Sequence, residues 1–201
     1  MNATTSSTTS KTDERCMIAL VGRPNSGKSS LYNRLTGGNA RVGNYPGVTV
    51  DVLEAKVELP SGTRAIVADL PGLYSVEATV DVDTDEGVAR RFIDRLRASG
   101  EASPRGFVVV QVIDPTRLAL GLRLTRELMK AKLPLIVALT HKDVLDAEGR
   151  DVDVARLADA IAAPVVLVSA RDASARATLL AAIDDRLRAG EHDAPRSSFD
   201  P

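Results

Sequence analysis

The residues most suited to chemistry form a phosphate-binding loop pattern, Gly-x-x-x-x-Gly-Lys-Ser, at positions 22–29. Gly22 and Gly27 let the backbone wrap closely around an anion, and N–H groups at the start of a following helix would point at the phosphates. Lys28 would reach the β- and γ-phosphates of a nucleotide, and the Ser29 hydroxyl would hold Mg²⁺. An apolar run precedes the pattern, so a plain glycine turn is the weaker interpretation. The predicted phosphate-binding set is Gly22, Arg23, Pro24, Asn25, Ser26, Gly27, Lys28, Ser29 and Ser30.

A second motif, Asp69-Leu70-Pro71-Gly72, follows another apolar run. An aspartate at the carboxyl end of a strand can hold Mg²⁺, usually through water. Gly72 would let the backbone approach a γ-phosphate and donate its N–H. A simple turn is the alternative interpretation. We therefore predict that Asp69, Pro71 and Gly72 belong to the same site.

A third segment, residues 41–49, contains two glycines and a proline, and it ends on Thr49. A loop of this composition has several accessible conformations, which is the property that a switch requires. A threonine here can complete the shell of Mg²⁺ when a γ-phosphate is present. The predicted ligand-binding residues are Gly47, Val48 and Thr49, although the segment alone is weakly specific.

Two further short motifs would read a base. Thr140-His141-Lys142-Asp143 and Ser169-Ala170 each follow an apolar run. The Asp143 carboxylate can accept hydrogen bonds from guanine N1 and the exocyclic N2 amine, a donor pair that adenine lacks. Ser169-Ala170 would offer a backbone N–H to guanine O6. Either motif alone could be a surface turn, but their order behind a phosphate loop predicts a guanine site.

The elements that must position these residues alternate between strand and helix. Short apolar runs predict strands, and helical periodicity predicts the helices between them. Residues 50–59 instead alternate apolar and charged residues, which predicts an antiparallel edge strand with a bulge near Leu53-Glu54. The acidic stretch 77–86 is interpreted as a solvated loop that leads into a helix. Together these patterns predict an α/β fold with helical layers around a mostly parallel sheet. The predicted strands are 17–21, 65–70, 107–113, 133–139 and 165–168, and the predicted helices are 29–35, 86–98, 117–131, 152–161 and 175–188.

Composition narrows the function further. The 201 residues carry a formal net charge of −1, with 3% aromatic residues and no tryptophan, so neither nucleic acid nor an anionic lipid surface is an expected partner. Cys16 is the only cysteine, which fits a reducing compartment. No apolar run approaches the roughly 20 residues that cross a bilayer. We predict a disordered Ser/Thr-rich tail at 1–14, one domain at 15–189 and a polar tail or linker at 190–201.

These motifs, in this order, resemble the translation-factor-related GTPases. The likeness is greatest to the amino-terminal G domain of ferrous iron transport protein B, a bacterial membrane protein. It is carried by residues 22–29, 42–50, 69–75 and 85–90, and it extends over roughly 16–188. The most specific part is the Val-Gly-Asn-aromatic-Pro-Gly-Val-Thr-Val string at 42–50.

The resemblance implies a P-loop NTPase G domain, with three α/β/α layers and a mostly parallel sheet of six to seven strands. It also implies an activity and its ligands. It implies Mg²⁺-dependent, K⁺-stimulated hydrolysis of GTP to GDP, coupled to ferrous iron transport across the bacterial inner membrane. Asn25 would bind K⁺, with carbonyl groups of Gly43 and Tyr45 completing the shell. Leu73 stands where Ras-like GTPases keep a glutamine that orients water. The implied catalytic residues are Lys28, Asn25, Thr49 and Gly72. The implied partner is a membrane transporter domain, in cis or in trans, on the cytoplasmic face of the inner membrane or in the cytoplasm, and an oligomer is allowed.

The chain departs from the family pattern in the base motif. Thr140 replaces an asparagine, which shortens one tether to the phosphate loop and predicts weakened affinity. His141 replaces a methionine or lysine, and we expect it to stack on the base rather than to act as a pH switch. Two other functions stay open: a stand-alone GTPase in ribosome assembly or tRNA modification, and a GTP sensor that does not hydrolyse. Whether the chain stands alone or belongs to a longer transporter is also open.

Overall fold

Strands and helices alternate along the chain in the computed structural model, which describes residues 16–43, 52–77, 84–98 and 106–193. The strands are β1 Cys16–Gly22, β2 Arg41–Gly43, β3 Val52–Glu58, β4 Arg64–Asp69, β5 Phe107–Ile113, β6 Leu135–Leu139 and β7 Val165–Leu167. The helices are α1 Lys28–Thr36, α2 Asp85–Ala98, α3 Leu118–Lys130, α4 Lys142–Ala147, α5 Val154–Ile161 and α6 Ala175–Asp193, with a 3₁₀ turn at Pro115–Arg117 before α3. Within these ranges no helix is long and apolar enough to cross a membrane.

The strands form one seven-stranded sheet in the order β2-β3-β4-β1-β5-β6-β7. The five strands from β4 to β7 in that order pair in parallel, while β3 is antiparallel to both β4 and β2. Each face of the sheet has its own apolar core. One core is shared with α1 and α6, and the other with α2, α3 and α5. The predicted fold class, a mostly parallel sheet between two helical layers, is confirmed.

The antiparallel end of the sheet differs from the prediction in two ways. The edge strand is β2, not β3, because the three residues Arg41–Gly43 pair with the outer side of β3. No bulge interrupts β3, since its register with β4 is continuous from Leu53 opposite Asp69 to Glu58 opposite Arg64. The alternation of apolar and charged residues changes phase within β3 for another reason. Val52 enters the core beside α2 and α3, whereas Val57 enters the opposite core.

The helices also differ from the prediction at their ends. Helix α4 was not predicted, because six residues are too few to show a helical period. Helix α5 begins at Val154, two residues later than predicted, because the Asp153 carboxylate accepts a hydrogen bond from the Arg156 N–H and caps it. Helix α6 continues to Asp193, into the stretch predicted to be a tail or linker.

The sheet brings the sequence motifs to one edge. Because β1, β4, β5, β6 and β7 are parallel, their carboxyl ends meet at the same edge. The loops that leave these ends begin at Arg23, Leu70, Asp114, Thr140 and Val168. Four of the predicted motifs therefore lie side by side.

Candidate nucleotide-binding site

The phosphate loop joins the end of β1 to the start of α1. Gly27 has a φ of 85°, a left-handed conformation that glycine adopts without strain, and Lys28 is the first residue of the helix. Asn25 also has a positive φ, 64°, which asparagine tolerates better than most residues. Its side chain is exposed. A groove of about 460 Å³ is lined by residues of this loop, together with Gly72 and the unpredicted Asp85 of α2: Arg23, Pro24, Asn25, Gly27, Lys28, Ser29 and Ser30.

An ion pair joins this loop to β4. The Lys28 ammonium lies 2.5 Å from Oδ1 of Asp69, and both side chains are about nine-tenths buried. Ser29 follows Lys28 in the first turn of α1, and its side chain is exposed. The structure thus places the predicted phosphate-binding cation beside the predicted Mg²⁺ ligand.

The segment after β4 packs directly on the phosphate loop. The Leu73 N–H donates to the Gly22 carbonyl oxygen at 3.0 Å. A side chain on Gly72 would not fit, because its Cβ would lie 2.8 Å from Cγ of Pro24. The Arg23 guanidinium lies 4.7 Å from the centroid of the Tyr74 ring, a cation–π contact. These contacts couple the position of residues 71–74 to that of the phosphate loop.

Two carboxylates that the sequence analysis did not single out hold the continuation of this segment. The Glu86 carboxylate of α2 accepts the N–H groups of Tyr74 at 2.9 Å and Ser75 at 2.8 Å. The Glu127 carboxylate of α3 accepts the Ser75 hydroxyl and the Val76 N–H, both at 2.7 Å. The interpretation of residues 77–86 as a solvated loop therefore needs correction at its end, because α2 begins at Asp85 and the Glu86 carboxylate binds the backbone of 74–75. Residues 78–83 of this stretch lie outside the described residues.

The base motif lies beside the phosphate loop. Thr140 is buried, and its Oγ1 lies 2.8 Å from the Ser26 carbonyl oxygen. The tether to the phosphate loop, expected to be shortened, is thus present as a hydroxyl hydrogen bond. His141 is at the start of α4 with a φ of 53°, and its side chain is about one-third exposed. A cavity of about 290 Å³ is lined by residues of both base motifs and the loop: Gly27, Ser30, Thr140, His141, Asp143, Ser169 and Ala170.

Hydrogen bonds favour the ionised form of the Asp143 carboxylate. Oδ1 accepts the Ser169 hydroxyl at 2.8 Å, and Oδ2 accepts the Arg171 guanidinium at 3.0 Å. These contacts, the serine bond first, lower the pKa of Asp143 below its usual range. Arg34 of α1 donates its Nε–H to the Ala170 carbonyl oxygen at 2.6 Å and so fixes the loop after β7. Neither Arg34 nor Arg171 was predicted, because nothing in the local sequence marks these long-range contacts.

The switch-like segment 41–49 is described only in part. Gly43 is the last residue of β2, at the edge of the sheet. The other predicted ligands in this segment, Tyr45, Gly47, Val48 and Thr49, lie outside the described residues.

Fold and site together define the class of this protein: it is a phosphate-loop GTPase G domain. Comparisons give the particular family. Residues 16–183 match the family model described as "Ferrous iron transport protein B". The chain belongs to this family.

Individual relatives agree with this assignment. The Fe(2+) transporter FeoB of Escherichia coli K12 is 36% identical over 182 residues, which are 89% of this chain and 22% of that protein. The FeoB G-domain from Methanococcus jannaschii superposes with a TM-score of 0.69 at 32% identity, covering 87% of this chain and 99% of that one. A GDP-bound mutant of the S. thermophilus FeoB G-domain superposes with a TM-score of 0.68 at 36% identity, covering 84% of this chain and 60% of that one. The chain thus spans about a fifth of the length of its full-length relative.

Proposed function

We propose that this chain is a GTP-hydrolysing switch domain, in which water attacks the γ-phosphate of GTP to give GDP and phosphate. The observation that supports this most is the meeting of four motifs at one sheet edge. Lys28, Asp69 and Gly72 lie within one phosphate groove or beside it, while Asp143 lines the adjacent cavity. GDP is bound by the S. thermophilus relative.

Phosphate binding requires Lys28 to change partners. Lys28 now pairs with Asp69. A triphosphate in the groove would offer the ammonium several oxygen acceptors and leave the Asp69 carboxylate available. Backbone N–H groups at the start of α1 would add the directed donors that anions prefer at a helix N-terminus.

The residues present fit Mg²⁺. This ion prefers oxygen ligands and keeps several waters, and Asp69 and Ser29 offer a carboxylate and a hydroxyl at adjacent strand and helix ends. We propose that Thr49 is the third protein ligand. When bound, Mg²⁺ would neutralise charge that develops on the phosphate oxygens.

The residues also fit K⁺. Asn25 presents an exposed amide at the rim of the phosphate groove, and a side-chain carbonyl is a suitable ligand for such a cation. We propose Asn25 with the Gly43 and Tyr45 carbonyls as the K⁺ site. The ion would supply positive charge of the kind that an arginine finger supplies in other GTPases.

Positioning of the attacking water falls to backbone groups. Leu73 is fully buried and apolar, so its side chain offers no hydrogen bond to water. Gly72 lines the groove in which a γ-phosphate would end. We therefore propose that Gly72 contributes to catalysis through its backbone and that Leu73 contributes only packing.

Guanine recognition is assigned to Asp143 with Ala170. The ionised Asp143 would accept the N1–H and N2–H donors of guanine, and the Ala170 N–H would meet O6. Arg171 now occupies one Asp143 oxygen at the exposed side and would be displaced by the base.

We further propose that the domain serves ferrous iron transport at the cytoplasmic face of the bacterial inner membrane. Full-length relatives are Fe(2+) transporters. The partner would be a membrane transporter domain, in cis or in trans. Family membership favours this role over ribosome assembly or tRNA modification.

Phosphate release from GTP tests the proposal. We expect faster release in potassium than in sodium buffer, with Lys28→Ala inactive. Asp143→Asn should move the preference from GTP towards XTP, because xanthine offers an acceptor where guanine has N2–H. Equal rates in both salts would remove the K⁺ role. GTP binding without release by the wild type would instead select the sensor function.

A further inference from the structure

The Thr140 hydroxyl lies at the centre of a short hydrogen-bonded chain. Its Oγ1 is 2.8 Å from the Ser26 carbonyl oxygen, 2.9 Å from Nδ1 of His141 and 3.2 Å from the Ile113 carbonyl oxygen. The side chain is buried between β6 and the phosphate loop. Three polar groups thus share one hydroxyl, and the position of its single proton decides what else the hydroxyl can do.

The chemistry of the partners places that proton. The Ile113 carbonyl already accepts the Thr140 N–H at 3.0 Å. The Ser26 carbonyl can only accept, so the hydroxyl proton goes to it along the shortest contact. Nδ1 of His141 must then carry a proton and donate it to Oγ1. The chain therefore runs from His141 Nδ1–H to Thr140 Oγ1–H to Ser26 O, and only this arrangement makes both short contacts hydrogen bonds at once.

This arrangement leaves Thr140 without a donor for a nucleotide. Along the edge of guanine, N2, N1 and O6 are followed by the acceptor N7. If Asp143 takes N1 and N2 and Ala170 takes O6, the residue beside the phosphate loop, Thr140, faces N7. An asparagine there would have two amide N–H donors, one for the loop and one for the base. A threonine has one, and it is already used.

From this we infer that the site recognises guanine without a hydrogen bond to N7, and that the Thr140 hydroxyl, which accepts from His141, only tethers the base motif to the phosphate loop. The inference rests on the proposed function, since it concerns how the same site binds its base. Thr140 thereby affects the affinity for guanine and leaves the choice between guanine and adenine to Asp143, because both bases carry N7.

Calorimetry of the whole chain with Mg²⁺ and either GDP or 7-deaza-GDP, in which a C–H replaces N7, tests this directly. The wild type should bind both nucleotides equally. Thr140→Asn should bind GDP more tightly than the wild type does, and should bind 7-deaza-GDP more weakly than GDP. A hydrogen bond of this kind changes affinity by about 2- to 12-fold. Wild-type discrimination against 7-deaza-GDP in that range would overturn the inference.

Thr140→Val is the matched control, because it keeps the shape and removes the hydroxyl. It should weaken the binding of both nucleotides by the same factor. Unequal losses of affinity would show that the hydroxyl contacts N7. ¹⁵N NMR of the wild type should find the His141 proton on Nδ1. An Nδ1 without a proton would also refute the proposed hydrogen-bond order. If the wild type binds neither nucleotide, the proposed function fails and this inference fails with it. If the wild type binds both nucleotides but prefers GDP, this inference fails while the proposed function stands.

Discussion

Replacing Glu127 with alanine should loosen the segment that follows Gly72. The Glu127 carboxylate accepts the Ser75 hydroxyl and the Val76 N–H at 2.7 Å, and the Glu77 N–H at 3.3 Å, all on the same oxygen. Hydrogen bonds to charged groups contribute about 1.5–3 kcal/mol each. Because the site is half-buried and one oxygen serves all three donors, we take about 1 kcal/mol for each short bond. The total of about 2 kcal/mol corresponds to a roughly 30-fold change in the local opening equilibrium.

Amide hydrogen exchange measures this opening. In the Glu127→Ala variant, the Val76 N–H should exchange roughly 30-fold faster than in the wild type, because exchange follows the open population. Arg126→Ala, an exposed neighbour on the same helix, is the matched control and should leave exchange unchanged. Exchange of Val76 that stays at the wild-type rate in Glu127→Ala would refute the reasoning. The functional counterpart is a lower kcat for GTP with unchanged GDP affinity, since Gly72 is the residue that we propose to meet the γ-phosphate.

Three other substitutions address stability and base binding. Asp184 is buried and accepts both the N–H and the hydroxyl of Ser61, so Asp184→Ala should cost about 3 kcal/mol, about 1.5 for each bond to the charged group, and lower Tm by roughly 6–12 °C. GDP affinity should not change, because Ser61 lies at the opposite end of β4, and an unaltered Tm would contradict the argument. Ser169→Ala removes the main cause of the lowered pKa of Asp143. The carboxylate should then protonate at a higher pH, and calorimetry should find GDP binding lost earlier on acidification than in the wild type; identical pH profiles would refute this. Burial raises the pKa of Glu54, and its Oε1 finds no hydrogen-bond partner within the described part of the chain. The charged form therefore costs stability above the usual glutamate pKa, so Glu54→Gln should raise Tm at about pH 7.5 and not at about pH 4, whereas an equal shift at both would exclude the charge as the cause.

Family, fold class and most strands were predictable from the chain because their signals are local. A phosphate loop needs its residues in one run of eight positions, and a buried parallel strand needs only a short apolar stretch. The three-residue strand β2 and the six-residue helix α4 were missed for the same reason. Segments this short have no pattern of their own, and they form only where pairing or packing supports them.

Contacts between residues that are distant in the sequence were determined by the tertiary structure alone. Glu127 lies 51 positions from Val76, and Arg34 lies 136 positions from Ala170. Their partners are backbone groups, which every residue carries, so no residue type in the sequence marks the contact. The proton chain through Thr140 is of the same kind, because it depends on where the Ser26 carbonyl and the His141 ring stand in space. Residue types and their spacing therefore determined which chemistry is available, and the packing of the sheet edge decided which donors remain free to perform it.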